Sequence, residues 1–133
     1  MLDLNAYVFF VQQGKVLVVR EKNRKLFSLP GGGLKRGEIV EDGLIRELKE
    51  ELNIDVTKAN LIFAKTFLGP SGRKNRIKAY CYFIKGVRFS FSPTLNIEEI
   101  AWVNSKNASK YNLTWIFKNK FLPFLINEVD QLR

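Results

Sequence analysis

The feature that most constrains the fold is one amphipathic segment, Ile39–Leu52, which stands among short apolar runs of β character. Its apolar residues recur at the spacing of a single helix face: Val40, Leu44, Leu48 and Leu52. This spacing predicts an α-helix with one side packed on a core. Pro30 and the three glycines after it predict a tight turn, followed by a loop over residues 34–38, immediately before the helix.

The other apolar runs are rich in β-branched and aromatic residues, which predicts strands. The predicted strands are Ala6–Val11 and Lys15–Arg20 as a hairpin, Leu26–Leu29, Asn60–Leu68, Ile77–Val87, an edge at Phe89–Phe91, and Glu98–Val103. The remaining predicted elements are a loop over Gly69–Lys74, a helical turn over Ser105–Tyr111, and a helix over Leu113–Val129 interrupted by Pro123. This pattern indicates an α+β fold with a mixed sheet, and we expect residues 1–133 to form a single domain.

The composition removes several kinds of chemistry. Without histidine, the chain has no Ser-His-Asp or Cys-His hydrolytic scheme and no histidine-bound zinc. Its one cysteine, Cys81, forms no disulfide and no Cys-based zinc cluster within a single chain. No apolar stretch approaches the roughly 20 residues of a membrane span, and the first residues lack the features of a signal peptide. We therefore expect a cytoplasmic protein without a membrane partner, whose chemistry relies on carboxylates, lysines, hydroxyls, backbone groups and a hard metal ion.

The net charge of +9 is divided unevenly along the chain. Six of the thirteen acids fall within residues 38–51 beside only two bases, so this window carries −4 and the rest of the chain +13. Residues 56–97 contain eight bases and no acid before Glu98. Clustered carboxylates repel one another unless a cation lies among them. The basic surround is either an ordinary solvated surface or a field that attracts a polyphosphate or nucleic acid.

A spaced motif joins the glycine turn to the acidic helix. Gly32 is followed by five residues and Glu38, then by seven residues and Arg46-Glu47-Leu48-Lys49-Glu50-Glu51, with Ile54 three residues further on. This motif resembles the Nudix box over Gly32–Ile54 and matches it at every specified position except one. The resemblance implies a Nudix-type α/β/α sandwich with a mixed central sheet, the Nudix loop and helix, and a C-terminal helix.

Asn53 is the exception, because the family has glycine at this position. A residue directly after a helix often adopts the left-handed conformation, and asparagine tolerates it best among the non-glycine residues. We therefore expect the geometry of the helix end to survive. Gly43 lies inside the predicted helix and should lower the stability of that helix by about 1 kcal/mol relative to alanine.

The resemblance implies hydrolysis of a pyrophosphate bond in a nucleoside diphosphate linked to another group, with Mg²⁺, or Mn²⁺ in its place, as the cofactor. By position, Glu47, Glu50 and Glu51 would hold the metal, and at about 100° per residue they share an arc of roughly 100° on the helix. The implied catalytic residues are Glu50, Arg46 and Glu47. Glu50 would orient or deprotonate the attacking water and Arg46 would brace the glutamates, while Glu98 or Glu99 is an alternative general base.

Several further residues are candidates for substrate contact. Those expected near phosphates are Gly32, Gly33, Glu38, Arg20, Lys35 with Arg36, and Arg73, Lys74 and Arg76. Glu38 is alternatively a supporting metal ligand or a brace of the loop. Those considered for a nucleobase are Phe27, Tyr80 and Trp115 as stacking partners, and Asn112 either as a base reader or as the N-cap of the last helix.

The first function hypothesis is a Mg²⁺-dependent NTP or dNTP pyrophosphohydrolase of the house-cleaning kind. An alternative is an RNA 5′-pyrophosphohydrolase that uses the basic stretch 56–97 to hold RNA. Further alternatives are a dinucleoside polyphosphate or ADP-sugar hydrolase, and a regulator of Nudix fold that binds a nucleotide without cutting it. The expected partner is thus a nucleotide, a nucleoside-diphosphate-linked substrate, or the 5′ end of an RNA.

Overall fold

The computed structural model describes residues 2–71, 75–88 and 92–128, and they form an α+β fold. The elements in chain order are β1 (Leu2–Phe9), β2 (Val11–Gln12), β3 (Lys15–Glu21), β4 (Gly31–Gly33), α1 (Val40–Leu52), β5 (Leu61–Ser71), β6 (Asn75–Ile84), β7 (Ile97–Val103) and α2 (Leu122–Glu128). Turns of 3₁₀ helix lie at Lys58–Asn60 and Ala108–Lys110, the second within the predicted helical turn. A π-helical turn, Phe117–Phe121, directly precedes α2. None of the helices in these ranges is both long and apolar enough to cross a membrane.

The strands of the described residues form two sheets. In the larger sheet, with the order β4-β1-β6-β5, β1 runs parallel to β6 and antiparallel to β4, and β5 runs antiparallel to β6. The smaller sheet is antiparallel, with the order β2-β3-β7. The predicted mixed sheet is confirmed. The predicted hairpin is correct only where β2 pairs with β3, because β1 inserts between β4 and β6 of the other sheet.

Alternate residues of β1 point into two different cores. One core joins β1 to the C-terminal helical segment and contains Tyr7, Phe9, Phe117, Phe121 and Leu125. The other joins β1 to α1 and contains Ala6, Val8, Phe10, Leu44, Leu48 and Leu52. The sheets therefore lie between α1 and the C-terminal helix, which confirms the predicted α/β/α sandwich. This arrangement fixes the carboxylate-bearing side of α1 beside β4.

The end and the interior of α1 show why two unusual residues occur there. Asn53 has φ 54° and ψ 39°, and its backbone N–H donates to the carbonyl of Lys49 at 3.1 Å. It therefore provides the left-handed cap that the sequence predicts. A Cβ on Gly43 would collide with Leu34 Cδ2 and stand 2.8 Å from Glu38 Oε1. Glycine thus lets the loop before the helix pack directly on it.

The loop predicted over Gly69–Lys74 is wrong at its first residues, because β5 continues through Gly69 and Pro70 to Ser71. Pro70 stands opposite Arg76 in the register of β6. β5 lies at the edge of the sheet, where a proline is tolerated because its missing N–H can face away from the neighbouring strand. Arg73 and Lys74 lie outside the described residues.

Three other predictions need correction. The glycines after Pro30 do not form a tight turn, because Gly31–Gly33 is the short strand β4, which pairs with β1. Leu26–Leu29 is not a strand, since Ser28 and Phe27 form only isolated bridges with Val19 and Leu113. The C-terminal helical segment begins after Thr114, whose Oγ1 accepts the N–H of Phe117 at 3.4 Å; Thr114 thus fills the capping role proposed for Asn112. The π-helical turn comes just before Pro123, which has no N–H to donate to the preceding turn. The predicted edge strand Phe89–Phe91 lies outside the described residues.

Candidate active site

Arg46 connects most of the motif residues. Its Nε and Nη2 donate to the two carboxylate oxygens of Glu38, both at 2.9 Å. Its Nη1 donates to Glu47 at 3.2 Å and to Glu50 at 3.3 Å, and Nη2 also donates to the carbonyl of Gly33 at 3.1 Å. A planar guanidinium suits this position because its donors point in fixed directions. Arg46 therefore joins the loop before the helix to two of the three candidate metal-binding glutamates.

Glu38 faces Arg46. The hydrogen bonds from the Arg46 side chain and from the backbone N–H of Lys35, the latter at 2.9 Å, lower the pKa of Glu38 to about 2. The same pair raises the pKa of Arg46. Of the roles considered for Glu38, this geometry favours a brace of the loop.

Glu51 is the buried charged side chain of the described core, with an exposed fraction of 3%. Its Oε1 accepts the N–H of Gly31 at 2.9 Å, and within the described ranges it has no ion pair with a lysine or arginine. Burial is the main cause that raises the pKa of Glu51 to about 9, and the charge of Glu47 adds to it. An ionised carboxylate in this position is costly unless a cation approaches it.

The Glu47 side chain lies between Arg46 and β4. A Cβ on Gly32 would stand 3.1 Å from each atom of the Glu47 carboxylate group, which is closer than ordinary van der Waals contact. Glycine at position 32 therefore makes room for this carboxylate. Burial raises the pKa of Glu47, and Arg46 opposes that rise.

An open cleft follows β4, and we divide it into three parts. The inner cleft, of about 290 Å³, is lined by Gly31–Gly33, Glu47 and Glu51. The outer cleft, of about 560 Å³, is continuous with it through shared lining residues: Asn5, Tyr7, Glu21, Arg24, Leu26 and Ser28. The acidic mouth, of about 380 Å³, lies on the other side and adds Glu50 and Asn96. The three candidate glutamates therefore border one connected space.

The far end of the outer cleft is apolar. It is lined by Pro70, Trp115 and Ile116, and Trp115 is 48% exposed. Leu26, which is 47% exposed, lines both the outer and the inner cleft. Exposed apolar side chains at the end of a polar cleft suit a planar aromatic group such as a nucleobase. Among the three stacking candidates, only Trp115 lines the cleft. Phe27 belongs to the core on the α2 side, and Tyr80 packs against the core on the α1 side.

Several residues predicted to contact phosphates lie elsewhere. Arg20 Nη2 pairs with Glu99 at 3.1 Å and Nη1 donates to the carbonyl of Arg24 at 3.0 Å, so its guanidinium lies on the β3–β7 ladder. Lys35 is exposed on the loop before α1, and Arg76 is exposed on β6. None of these lines the cleft, and neither do the two alternative bases Glu98 and Glu99.

Glu21 and Arg24 are site residues that the sequence prediction missed. Both line all three parts of the cleft, and Glu21 is close enough to raise the pKa values of Glu47 and Glu51. The register of β3 against β7 shifts between Arg20 and Glu21, and such a bulge re-aims side chains. The sequence does contain a charged run, Glu21-Lys22-Asn23-Arg24-Lys25, directly after a predicted strand. The local sequence does not predict that this run lies beside α1.

The carboxylates beside the cleft suit an oxygen-seeking divalent cation. Mg²⁺ prefers oxygen ligands and shares them between carboxylates and substrate phosphates. Glu51 supplies a buried carboxylate that lacks a cationic partner in the described chain, and Glu47 and Glu50 border the same space. Within the described residues no three such side chains yet stand close enough together to hold an ion. Because Glu47 and Glu50 are hydrogen-bonded to Arg46, holding an ion together with Glu51 would require their carboxylates to rotate toward the cleft.

Comparison with known proteins identifies the family. The family model of the NUDIX domain matches residues 1–125. The chain therefore belongs to the NUDIX family. Its structural neighbours are MutT-like Nudix hydrolases; the MutT protein from Methanosarcina mazei Go1 superposes with a TM-score of 0.78 over 96% of each chain at 20% identity, a likeness that shows the fold.

Two curated relatives are similar over part of their length. The mRNA-decapping enzyme subunit 2 of Saccharomyces cerevisiae is 29% identical over 128 residues, which is 93% of this chain and 12% of that protein. The RNA pyrophosphohydrolase of a Marinomonas species is 31% identical over 68 residues, 47% of this chain and 42% of that protein. The chain thus spans less than half the length of these relatives.

Proposed function

We propose that this chain is a cytoplasmic, Mg²⁺-dependent hydrolase of a pyrophosphate bond in a nucleoside di- or triphosphate derivative. Family membership and the names of the relatives support a pyrophosphohydrolase. The observation that carries the proposal is Glu51: a buried carboxylate, without an ion pair in the described chain, beside a cleft that two further glutamates border. A site that needs a cation and opens onto a cleft is expected of a metal-assisted hydrolase.

In this proposal Glu47, Glu50 and Glu51 would hold the metal, which when bound neutralises phosphate charge and makes water a better nucleophile. Arg46 fixes the approach of the loop to the helix through Glu38 and Gly33. Glu50 is the most exposed of the three glutamates, with 49% of its side chain accessible, and would position the attacking water. The reacting phosphates would therefore lie between β4 and the acidic mouth.

Other residues of the cleft would bind the substrate. Arg24 lines every part of the cleft and would meet the phosphate charge, whereas Arg20 and Lys35 do not line it. Trp115 and Leu26 would contact the base in the outer cleft. This places phosphates and base at opposite ends of one cleft, which suits a single nucleotide held in an extended pose.

The first substrate class is a free NTP or dNTP, and the second is RNA with a 5′ triphosphate. The similarity to an RNA pyrophosphohydrolase and the acid-free stretch before Glu98 favour the second. A dinucleoside polyphosphate or an ADP-sugar is a third class. A regulator that only binds nucleotide would not need three glutamates around one cleft.

The test is an assay of phosphate and pyrophosphate release with Mg²⁺, with Mn²⁺, and with a chelator. The substrate panel contains NTPs, dNTPs including oxidised bases, ADP-ribose, dinucleoside polyphosphates, and capped or 5′-triphosphorylated RNA. Glu50→Gln should lower kcat by about 10²-fold or more. Asp42→Asn is the matched control, because Asp42 lies on the same helix, is 49% exposed and pairs with Lys58 at 3.4 Å instead of facing the cleft.

The proposal predicts turnover of at least one substrate that stops when the chelator is added. Turnover unaffected by the chelator, or equal losses in Glu50→Gln and Asp42→Asn, would contradict the metal assignment. Tight nucleotide binding without turnover of any substrate on the panel would instead support the regulator.

A further inference from the structure

A second groove lies between the edge strand β5 and the C-terminal helical segment. It has a volume of about 480 Å³ and is lined by Lys65, Thr66, Phe67, Leu68, Asn119, Lys120, Pro123, Phe124 and Asn127. These residues include two lysines, two asparagines and no carboxylate. The ammonium of Lys65 lies 5.6 Å from the ring centre of Phe67 and 5.8 Å from that of Phe124, which fixes a positive charge over the floor of the groove. We call this the β5–α2 groove.

The β5–α2 groove lies next to the outer cleft along β5, and the packing of Gly69 on Ile116 and Trp115 separates the two spaces. Along β5, Leu68 lines the groove and Pro70 lines the outer cleft, so only Gly69 separates them. A Cβ on Gly69 would stand 3.4 Å from Trp115 Cζ3, which shows that the indole ring rests beside this residue. On the helical side, Asn119 of the groove donates through Nδ2 to the carbonyl of Trp115 at 2.8 Å. Trp115 is thus the boundary between the two spaces.

The chemistry of the β5–α2 groove matches a phosphodiester chain. Lysines meet backbone phosphates and amides bond to phosphates and sugars, while exposed apolar and aromatic side chains contact bases. β5 and β6 belong to the stretch that contains no acid, so no carboxylate of that sheet edge repels a polyanion. The groove residues carry two lysines and no carboxylate, so their charge is complementary to a polyanion.

We propose that the β5–α2 groove binds the nucleotides that follow the first one in a 5′-triphosphorylated RNA. This rests on the proposed function, because it assumes that the 5′ phosphates lie at the glutamates and the first base at Trp115. The chain of the RNA then leaves the outer cleft past Trp115 and crosses Lys65 and Lys120. The preferred substrate is therefore an oligonucleotide, and a free nucleotide uses only part of the surface.

The experiment compares the wild type with the double variant Lys65→Gln/Lys120→Gln. The control double variant is Lys106→Gln/Lys110→Gln, which removes the same charge from exposed positions beyond β7. Substrates are free GTP or ATP and triphosphorylated RNAs of two, four and eight nucleotides. Binding of the same RNAs is measured separately by fluorescence anisotropy in chelator, so that this readout does not depend on hydrolysis.

For the eight-nucleotide RNA we expect the groove variant to raise KM and Kd about fivefold or more at 0.15 M salt, with kcat unchanged. Because each lysine accounts for about 0.7 in the salt slope for single strands, the slope of log K against log salt should shrink by about 1.4. Turnover of the free nucleotide should stay the same, and kcat/KM of the wild type should rise with RNA length. Lys120→Gln alone, at an exposed position, should give part of the effect if the double variant folds poorly.

The proposal is overturned if the groove and control variants weaken RNA binding equally, or if kcat/KM does not depend on RNA length. It is also overturned if the groove variant impairs free nucleotide and RNA to the same extent. Groove-dependent RNA binding without hydrolysis of any substrate would uphold the groove and refute the proposed catalytic function, so the two failures are distinguishable.

Discussion

Replacing Glu51 with glutamine should make the protein more stable and inactive at the same time. The carboxylate has an exposed fraction of 3%, one hydrogen bond from Gly31, and no ion pair with a described lysine or arginine. Glutamine has nearly the same shape and keeps an Oε1 that accepts the Gly31 N–H. It has no charge to desolvate. The change therefore separates the cost of the buried acid from the packing of the helix.

The magnitude follows from the pKa of Glu51, which is about 9 in the folded chain against an ordinary 4.5. At pH 7 the folded chain without a cation keeps this group protonated, whereas the unfolded chain ionises it. The interval from 4.5 to pH 7, at 1.36 kcal/mol per pH unit, amounts to about 3 kcal/mol of lost stability. Glu51→Gln should recover up to this amount, which corresponds to a Tm about 10 °C higher for a chain of this length.

The direction of the pKa shift of Glu51 also determines how the stability of the chain depends on pH. A carboxyl group with a raised folded pKa contributes its full stability below pH 4.5 and loses it progressively as the pH rises toward 9. In chelator, wild-type stability should therefore fall over this range, while Glu51→Gln should lack this component. Mg²⁺ should raise the Tm of the wild type at pH 7 and above and have little effect on the variant.

The assay is urea or thermal unfolding at pH 5, 7 and 9, with chelator and with Mg²⁺, beside turnover of the best substrate. Glu50→Gln is the matched comparison for stability, because half of the Glu50 side chain is already exposed. The reasoning is refuted if Glu51→Gln destabilises the chain at pH 7 in chelator, or if it retains Mg²⁺-dependent turnover.

Three further changes give smaller and more local effects. Asn53→Ala should lower the free energy of unfolding by about 1 kcal/mol because alanine tolerates φ 54° poorly, whereas Asn53→Gly should not; urea unfolding decides, and equal losses would contradict the capping role. Arg46→Lys should lower the free energy of unfolding by about 2 kcal/mol and reduce kcat, because one ammonium cannot replace the paired bonds to Glu38 and the bond to Gly33. Unchanged kcat would show that the brace is dispensable. Gly32→Ala should reduce kcat with little change in Tm, because the added Cβ displaces the Glu47 carboxylate; a large drop in Tm with normal kcat per folded molecule would argue for a purely structural glycine.

Elements with strong local signals were predicted well from the sequence. The stripe of α1 and the left-handed Asn53 follow from spacing and residue type, whereas the burial of both sheet faces was implied by the family resemblance. The length of β5 does not follow from the local sequence, because glycine and proline normally predict a turn. Only the position of β5 at the sheet edge makes the residues Gly69 and Pro70 compatible with a strand, and that position depends on long-range pairing.

The candidate site likewise contains residues that the sequence predicts and residues that only the tertiary structure brings in. The spacing of Arg46, Glu47, Glu50 and Glu51 places them on one helix, and one helix needs no tertiary information. Glu21 and Arg24 enter the site because β3 ends beside α1 with a shifted register, which depends on the pairing of β3 with β7. Arg20 was the natural expectation for a phosphate contact, yet it pairs across that ladder with Glu99.

Under the proposed function, the charges around the cleft would require the cation and the substrate to bind together. Glu21, Glu47, Glu50 and Glu51 border the space, and Arg46, the nearest cation on the helix, is already committed to Glu38, Glu47 and Glu50. Of the cationic lining residues, Arg24 alone reaches all three parts of the described cleft. A polyphosphate that approaches these carboxylates without a divalent ion meets repulsion at the position where its bond must be cut. The ion removes that repulsion, and by linkage the substrate must tighten the binding of the ion by the same factor. The basic residues outside α1 would then raise the local concentration of polyanions, while the carboxylates of α1 would make productive binding conditional on the metal.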